Sequence, residues 1–228
     1  RWIWNANCKK PDFLKFYNAG ATKARIYIFL IKAIFALKMQ HLFFKSKVLF
    51  FSKKETSFFN CLDAWSLFTG TIGPNNKAIL YVNSFFYKIA TTPNAQLLIQ
   101  KEHTVLQKMD NEVQSFVVPN SKFISHAVIQ FSDVAEKGKR TKNATQLHAN
   151  ALLEMSNRNK KTQMVSNWES FQNLKANFDA IQDNRIPSNL IRKINWLLAN
   201  MDKEETLETT FSHGDFTQWN MFVTKDKL

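Results

Sequence analysis

The chain has 228 residues, of which 45% are hydrophobic, and carries a formal net charge of +13 at pH 7. This length can bury a substantial core, and the composition excludes collagen-like and low-complexity chains. Two cysteines, Cys8 and Cys61, exclude a disulfide framework and a cysteine-rich metal site. The N-terminus lacks the pattern of a secretory signal, so a cytoplasmic location is expected.

Nearly all of the positive charge lies in the first quarter of the chain. Residues 1–54 hold 12 Lys and Arg against one acid, Asp12, which gives a net charge of +11. Residues 55–228 carry the remaining +2. Such asymmetry indicates that the first segment meets an anionic surface.

This basic segment is also rich in aromatic residues, and its apolar run at residues 26–37 is interrupted by Lys32. The run is too short to span a membrane as a helix. Three interpretations stay open. The segment is a helical extension packed on the main domain, a basic helix on an anionic membrane surface, or a nucleic-acid-binding arm with stacking aromatics. Nucleic-acid binding is the least favoured of the three.

The predicted elements begin with a helix over residues 21–44, inside the basic segment. The next stretch of the chain is predicted to be rich in strands. Its elements are a turn at residues 69–76, strands at 78–82 and 85–90 joined by a tight turn at Asn83-Ser84, a capped helix at 95–109, and a strand at 123–131.

The remainder of the chain is predicted to be mainly helical. Its elements are a polar linker at residues 132–142, helices at 146–157, 167–179 and 187–201, and a strand at 221–223. Strands segregated from helices predict an α+β fold. The predicted domains are a basic aromatic extension (1–54), a strand-rich domain (55–134) and a helical domain (135–228).

One run of residues carries a recognisable chemistry: His213-Gly214-Asp215-Phe216-Thr217-Gln218-Trp219-Asn220. Phosphoryl transfer needs a carboxylate that accepts the proton of the attacking hydroxyl and an amide oxygen that helps to hold magnesium. Protein kinases supply both from one loop, with four residues between the Asp and the Asn. Asp215 and Asn220 have that spacing, and His213 stands two positions before Asp215, as in the kinase pattern.

With Gly214 before the Asp and Trp219-Asn220 before an apolar stretch, the motif resembles the aminoglycoside phosphotransferase and choline kinase family. The resemblance covers roughly residues 55–228. It implies a protein-kinase-like fold with a strand-rich N-lobe and a helical C-lobe, ATP and Mg²⁺ as cofactors, and a small-molecule hydroxyl as acceptor. It makes Asp215 the catalytic base, Asn220 a magnesium ligand and His213 an organiser of the loop.

Upstream residues fit the same family. A kinase uses a strand lysine at the α/β-phosphates and a helix glutamate that holds this lysine. The resemblance assigns Lys88 to the phosphates and Glu102, fourteen residues later, to the ion pair. Gly70 and Gly73 are assigned to a turn covering the phosphates, where backbone amides meet anionic oxygens. This last signal is weaker, because the third glycine of the kinase pattern is missing.

The sequence departs from the family at its end. The family carries a second metal-binding Asp after the Asn, and Asp226, in a sequence typical of a hairpin turn, is not assigned this role. The chain is therefore expected to be a fragment, with the missing Asp beyond residue 228. The alternative is a catalytically inactive kinase-like module that uses its basic segment at an anionic membrane or nucleic acid. The acceptor stays open among an antibiotic, a choline-like amine, a sugar and a cell-envelope precursor.

Overall fold

The computed structural model describes residues 2–17, 19–48, 63–110, 113–136, 138–141, 143–158, 160–201, 205–211, 216–217 and 220–228. The chain forms two compact units, one of residues 1–143 with 217–228 and the other of residues 144–216. The first unit contains an antiparallel sheet with helices, and the second is mainly helical. The predicted α+β class is confirmed.

The elements are numbered in chain order. The first unit contains β1 (Trp2–Trp4), α1 (Thr22–Ala36), α2 (Gln40–Phe43), β2 (Trp65–Phe68), β3 (Lys77–Val82), β4 (Phe85–Ala90), α3 (Pro93–Asp110), β5 (Ser121–Ser125) and β6 (Val128–Ser132). The second contains α4 (Gln146–Asn157), β7 (Lys161–Met164), α5 (Glu169–Asp179), α6 (Ser188–Met201) and β8 (Thr206–Thr209). None of the helices within the described ranges has the length and apolarity needed to cross a bilayer.

The sheet of the first unit has the strand order β1-β2-β3-β4-β6-β5, and all neighbouring strands are antiparallel. β3 and β4 form a hairpin in which Val82 pairs with Phe85. Asn83 and Ser84 make its two-residue turn with φ angles of 52° and 64°. Positive φ at both positions is typical of the type I′ turn, which matches the twist of a hairpin. The predicted tight turn is confirmed.

Alternate residues of β4 face opposite sides of the sheet, as the period of a strand requires. On one side, Phe86 and Ala90 pack in a cluster with Ile99 of α3. On the other side, Tyr87 belongs to a separate buried cluster. Lys88 lies between Phe86 and Ala90 on the α3 side, so the strand period alone directs its side chain toward that helix.

The basic segment contributes to the same unit as the strand-rich part of the chain. β1 pairs with β2, with Ile3 opposite Leu67. Phe16, in a 3₁₀ helix, lies 6.2 Å from Phe68 and 6.1 Å from Phe86 between ring centroids. The described part of residues 1–54 therefore adds an edge strand and a packed layer to the sheet. The predicted division into domains of residues 1–54, 55–134 and 135–228 stays a prediction.

The single strand predicted at residues 123–131 is wrong, because this stretch contains parts of two strands, β5 and β6. They form a hairpin with Phe123 opposite Ile129 and a register shift between Phe123 and Ser125. The turn at residues 126–127 is supported by the Ala127 N–H, which donates to Ser125 Oγ at 3.4 Å. Apolar residues on both sides of the turn made the two short strands resemble one long strand.

The continuous helix predicted at residues 21–44 is also wrong, because α1 ends at Ala36 and α2 follows as a short helix. Lys38 takes a φ of 55°, the left-handed region. The Met39 N–H donates to the Ile34 carbonyl at 2.9 Å, and the Lys38 N–H donates to the Phe35 carbonyl at 3.1 Å. These two bonds form a Schellman ending, for which glycine is the usual residue. Because residue 38 is not a glycine, this ending has no local signal in the sequence.

The second unit is built around helices close to those predicted. α4 and its prediction coincide, α5 begins two residues later than predicted after the 3₁₀ helix Val165–Asn167, and α6 begins one residue later. The core cluster contains Val165, Phe171 and Leu198. β7 and β8 form an additional two-stranded antiparallel sheet that was not predicted.

The predicted strand at residues 221–223 is reduced to an isolated antiparallel bridge between Val223 and Lys139. Gly138 permits this contact, because a Cβ there would lie 2.9 Å from Phe222 Cβ. The Leu228 carbonyl then accepts from the Val117 N–H at 2.8 Å. Residues 220–228 thus run along the first unit without forming a regular strand.

Candidate active site

The centre of the candidate site is the ion pair between Lys88 Nζ on β4 and Glu102 Oε1 on α3. Lys88 is held in the middle of the sheet, since its strand neighbours are Ile79 and Ile129. Its ammonium group lies 4.7 Å from the centre of the Phe131 ring. The side chains are 27% and 33% exposed, so the pair lies at a solvent-accessible surface.

The helix holds Glu102 over the sheet through its apolar side. Ile99, one turn before Glu102, is fully buried, and Leu106, one turn after it, packs in the same cluster. Residues three or four apart lie on one face of a helix, so the Glu102 side chain lies on the sheet-facing side as well. Lys88 and Glu102, which were predicted to pair, therefore meet because the strand alternation directs Lys88 toward α3 and the helical repeat directs Glu102 toward the sheet.

The turn at residues 69–76 joins β2 to β3 at the end of the sheet near Lys88. Lys77 pairs with Ala90 as the last residue pair of the hairpin, and Lys88 lies two residues inside it. Gly70 has a φ of 77°, and a Cβ on it would lie 2.2 Å from the Lys77 carbonyl oxygen. Gly73 has open space around its Cα. Of the two glycines in this turn, only Gly70 occupies a position where a side chain would be strained.

Two threonines, whose roles at the site were missed in the sequence, tie this turn to the start of α3. The Thr91 hydroxyl donates to the Asn76 carbonyl at 2.8 Å, and the Thr92 hydroxyl donates to the Pro74 carbonyl. Thr92 Oγ1 also accepts from the Ala95 N–H at 3.1 Å, which makes it the helix cap. A capping residue was predicted here, but no local signal indicated that it also holds the turn.

The predicted catalytic residues Asp215 and His213, together with Gly214, lie outside the described residues. The chain on either side of them is held within the second unit. Before them, the Thr210 hydroxyl donates to the Ser156 carbonyl at the end of α4. After them, the Phe216 ring lies edge-on to His148 at 6.4 Å.

His148, which was missed as a site residue, links the motif to the start of α4. Its Nδ1 accepts from the Thr145 N–H at 3.1 Å and lies 2.9 Å from Thr145 Oγ1. This is a capping arrangement with a histidine in the place usually taken by Glu or Gln. Thr210 therefore binds the end of α4, and Phe216 contacts His148 in the first turn of the same helix.

Asn220, the predicted magnesium ligand, is exposed, and its N–H donates to the Thr217 carbonyl at 2.9 Å. Asp226 lies in a tight turn, in which the Thr224 N–H donates to the Lys227 carbonyl at 2.8 Å. Among the residues that the structure describes, no group of three or more His, Cys, Asp or Glu side chains could hold a metal ion. The magnesium assignment of Asn220 stays a prediction.

A second charged cluster, not found from the sequence, lies where β6 ends. The Asp133 side chain is only 1% exposed and pairs with Lys15, whose ammonium group lies 4.5 Å from the centre of the Tyr81 ring. Asp133 also accepts from the Ala135 N–H at 3.0 Å. Burial alone would lower the pKa of Lys15, but Asp133 and Tyr81 outweigh it, so this pKa is raised.

No protein-family model matches this chain, and no curated protein or solved structure matches it either.

Proposed function

We propose that this chain is part of an ATP-dependent phosphotransferase that acts on a hydroxyl group of a small molecule. The observation that carries the proposal is the ion pair of Lys88 and Glu102. Counted from β2, Lys88 lies on the third strand and Glu102 on the helix that follows, which is the arrangement protein kinases use at the α/β-phosphates. We also propose that the fold is kinase-like, with two lobes.

The turn at residues 69–76 supports the same function. It adjoins the strand end nearest Lys88, and its close packing at Gly70 excludes a side chain there. Backbone amides in such a turn suit anionic oxygens. In the proposal, Lys88 and this turn hold the phosphates, while Asn220 is a ligand for Mg²⁺, which when bound neutralises phosphate charge.

The motif supplies the chemical step. Asp215 accepts the proton of the acceptor hydroxyl as the oxygen forms its bond to the γ-phosphorus. The bond between this phosphorus and the bridging oxygen breaks, and ADP leaves with that oxygen. His213 orders the loop around Asp215.

The test measures ADP release by the full natural polypeptide with ATP, Mg²⁺ and a panel of amino alcohols, sugars and aminoglycosides. Asp215→Asn is expected to lower kcat by about a hundredfold or more, because the base is lost, while ATP affinity measured by calorimetry stays similar. Asp226→Asn, in the tight turn, is the control and is expected to keep wild-type kcat. Unchanged kcat in the Asp215 variant contradicts the assignment.

The ion pair has its own test on the same polypeptide. Glu102→Gln is expected to lower kcat/KM by about tenfold or more, because Lys88 loses the partner that orients it. Lys101→Gln, at the exposed neighbouring position, is the control. ATP binding without turnover of any acceptor by the wild type would instead support the inactive kinase-like module.

A further inference from the structure

Helix α1 is apolar on two opposite sides, and only one of them is used inside the protein. Ile31 and Phe35 are buried in a cluster with Phe13, and the Phe35 ring lies 6.0 Å from the Phe13 ring. Trp4 stacks on Phe13 at 4.3 Å in the same cluster. This side therefore anchors the helix to the first unit.

The other side of α1 consists of Ile26, Phe29 and Leu30, called here the outer face. These side chains are 55%, 70% and 53% exposed. At 3.6 residues per turn, their positions lie opposite those of Ile31 and Phe35. Neighbouring apolar side chains that stay exposed on a helix, with charged residues beside them, indicate an interaction surface. We therefore expect the outer face to contact a second apolar surface.

The charges around the outer face indicate what that surface is. Arg25 and Lys32 are exposed on α1 beside it, and no Asp or Glu occurs in residues 13–54. Further exposed apolar residues of the same segment are Leu37, Leu42 and Phe43, and further exposed lysines are Lys38, Lys45 and Lys47. Apolar side chains among cations, without acids, complement a membrane with anionic headgroups.

Other occupants fit this surface less well. Two copies facing each other would bring the cations of one against those of the other, with no acid of this segment to pair them. A nucleic acid would need several aromatic rings for base stacking, but Trp4, Phe13 and Phe35 pack on one another. The outer face itself offers one aromatic ring, Phe29, beside the aliphatic Ile26 and Leu30.

We infer that the outer face of α1 docks on an anionic lipid surface, with the helix in the plane of the interface. This inference is independent of the phosphotransferase activity. It also gives the basic segment two roles, since its inner side completes the first unit and its outer side holds the protein at a membrane.

Vesicle flotation tests the inference on the unaltered chain and on full-length variants. We expect binding to vesicles of phosphatidylcholine with 30% phosphatidylserine, and at least about tenfold weaker binding to phosphatidylcholine alone or in 0.5 M salt. Phe29→Ser with Leu30→Ser, and Arg25→Gln with Lys32→Gln, are each expected to weaken binding about tenfold or more. Circular dichroism checks that these surface variants keep the fold.

Matched controls lie on the exposed side of α6. Trp196→Ser with Leu197→Ser, and Arg192→Gln with Lys193→Gln, remove the same kinds of group from a helix of the second unit, and binding is expected to stay within about twofold. Equal weakening by the α1 and α6 variants would show general charge attraction and overturn the inference. So would equal binding to neutral and anionic vesicles, or a dimer that the Phe29 and Leu30 changes dissociate in a protein that binds no vesicles.

Discussion

The Lys15–Asp133 pair joins residues 118 positions apart in the chain. Because the Asp133 carboxylate is buried and Lys15 is partly exposed, removing the lysine alone leaves a charge with little access to water. Breaking a buried pair from one side is strongly destabilising, while an exposed pair contributes little. The Lys160–Glu208 pair, at 50% and 55% exposure, offers an exposed comparison.

We therefore expect Lys15→Met to lower the free energy of unfolding by about 1–3 kcal/mol, below the full cost of a buried pair because Lys15 is partly hydrated. Adding Asp133→Asn is expected to restore part of this loss, since the unpaired charge is then removed. Urea unfolding followed by tryptophan fluorescence measures both variants. Lys160→Met should change the same quantity by less than about 1 kcal/mol. Equal losses in the two lysine variants would contradict the contribution assigned to the buried carboxylate.

The same pair predicts a dependence of stability on pH. The pKa of Lys15 is raised in the folded state, so its stabilising effect is fully present below the ordinary lysine pKa of about 10.4 and is lost as pH rises through the higher folded value. Unfolding measured between pH 8 and pH 12 should show a steeper alkaline loss in the wild type than in Lys15→Met. Parallel curves would show that Lys15 does not titrate differently in the folded state.

At the scale of elements, the turn at residues 69–76 contains two glycines with different requirements. Gly70→Ala is expected to lower the free energy of unfolding by about 1–3 kcal/mol, because it combines a left-handed φ with a clash against the Lys77 carbonyl. Gly73→Ala, with open space at its Cα, is expected to stay within about 0.5 kcal/mol. Thermal unfolding of both variants measures the difference, and a larger loss at Gly73 would contradict the geometry of the turn.

Elements whose signals are local were predicted well. The β3–β4 hairpin and α3 followed from a two-residue turn, strand alternation and a helix period. β1 was missed, because Trp2–Trp4 becomes a strand only by pairing with β2 about sixty residues later. The β7–β8 pair was missed for a similar reason, since residues 161–163 are polar and β7 pairs with a strand more than forty residues later in the chain.

The residues of the candidate site also divide into those with a local sequence signal, which were predicted, and those without one, which were missed. Lys88 and Glu102 were predicted because each lies at a regular position of a strand or helix, fourteen residues apart, in an order that a known family shares. Lys15 and Asp133 had no such pattern. A capping residue was expected before α3, but the bond from Thr92 to the Pro74 carbonyl was not, since it depends on how the turn folds back onto α3.

At the scale of the whole molecule, the basic segment, which was predicted to be a helical extension, contributes the edge strand β1 to the sheet. Its anchors are the β1–β2 pairing, the Lys15–Asp133 ion pair and the bond from Cys8 Sγ to the Trp65 carbonyl at 3.3 Å. A tail that only bound a partner would be dispensable for folding. Here its removal would expose the edge of β2 and the apolar surface around Phe86.

We therefore expect deletion of residues 1–54 to destabilise the first unit, reducing the soluble yield and the hydrogen-exchange protection of β2 amides. A variant that keeps the segment but replaces the exposed Lys9 and Lys10 with Gln is the control and should fold normally. Full protection of β2 after the deletion would show that the segment is an independent appendage.

The hydrogen bonds of Thr91 and Thr92 connect the turn at residues 69–76 to the start of α3, so the turn and the helix are expected to move together. A rotation of α3 that carries Glu102 away from Lys88 must pull on the Asn76 and Pro74 carbonyls through Thr91 and Thr92. In the function we propose, an effector that tilts this helix would weaken phosphate binding by the turn and separate Lys88 from Glu102 at the same time.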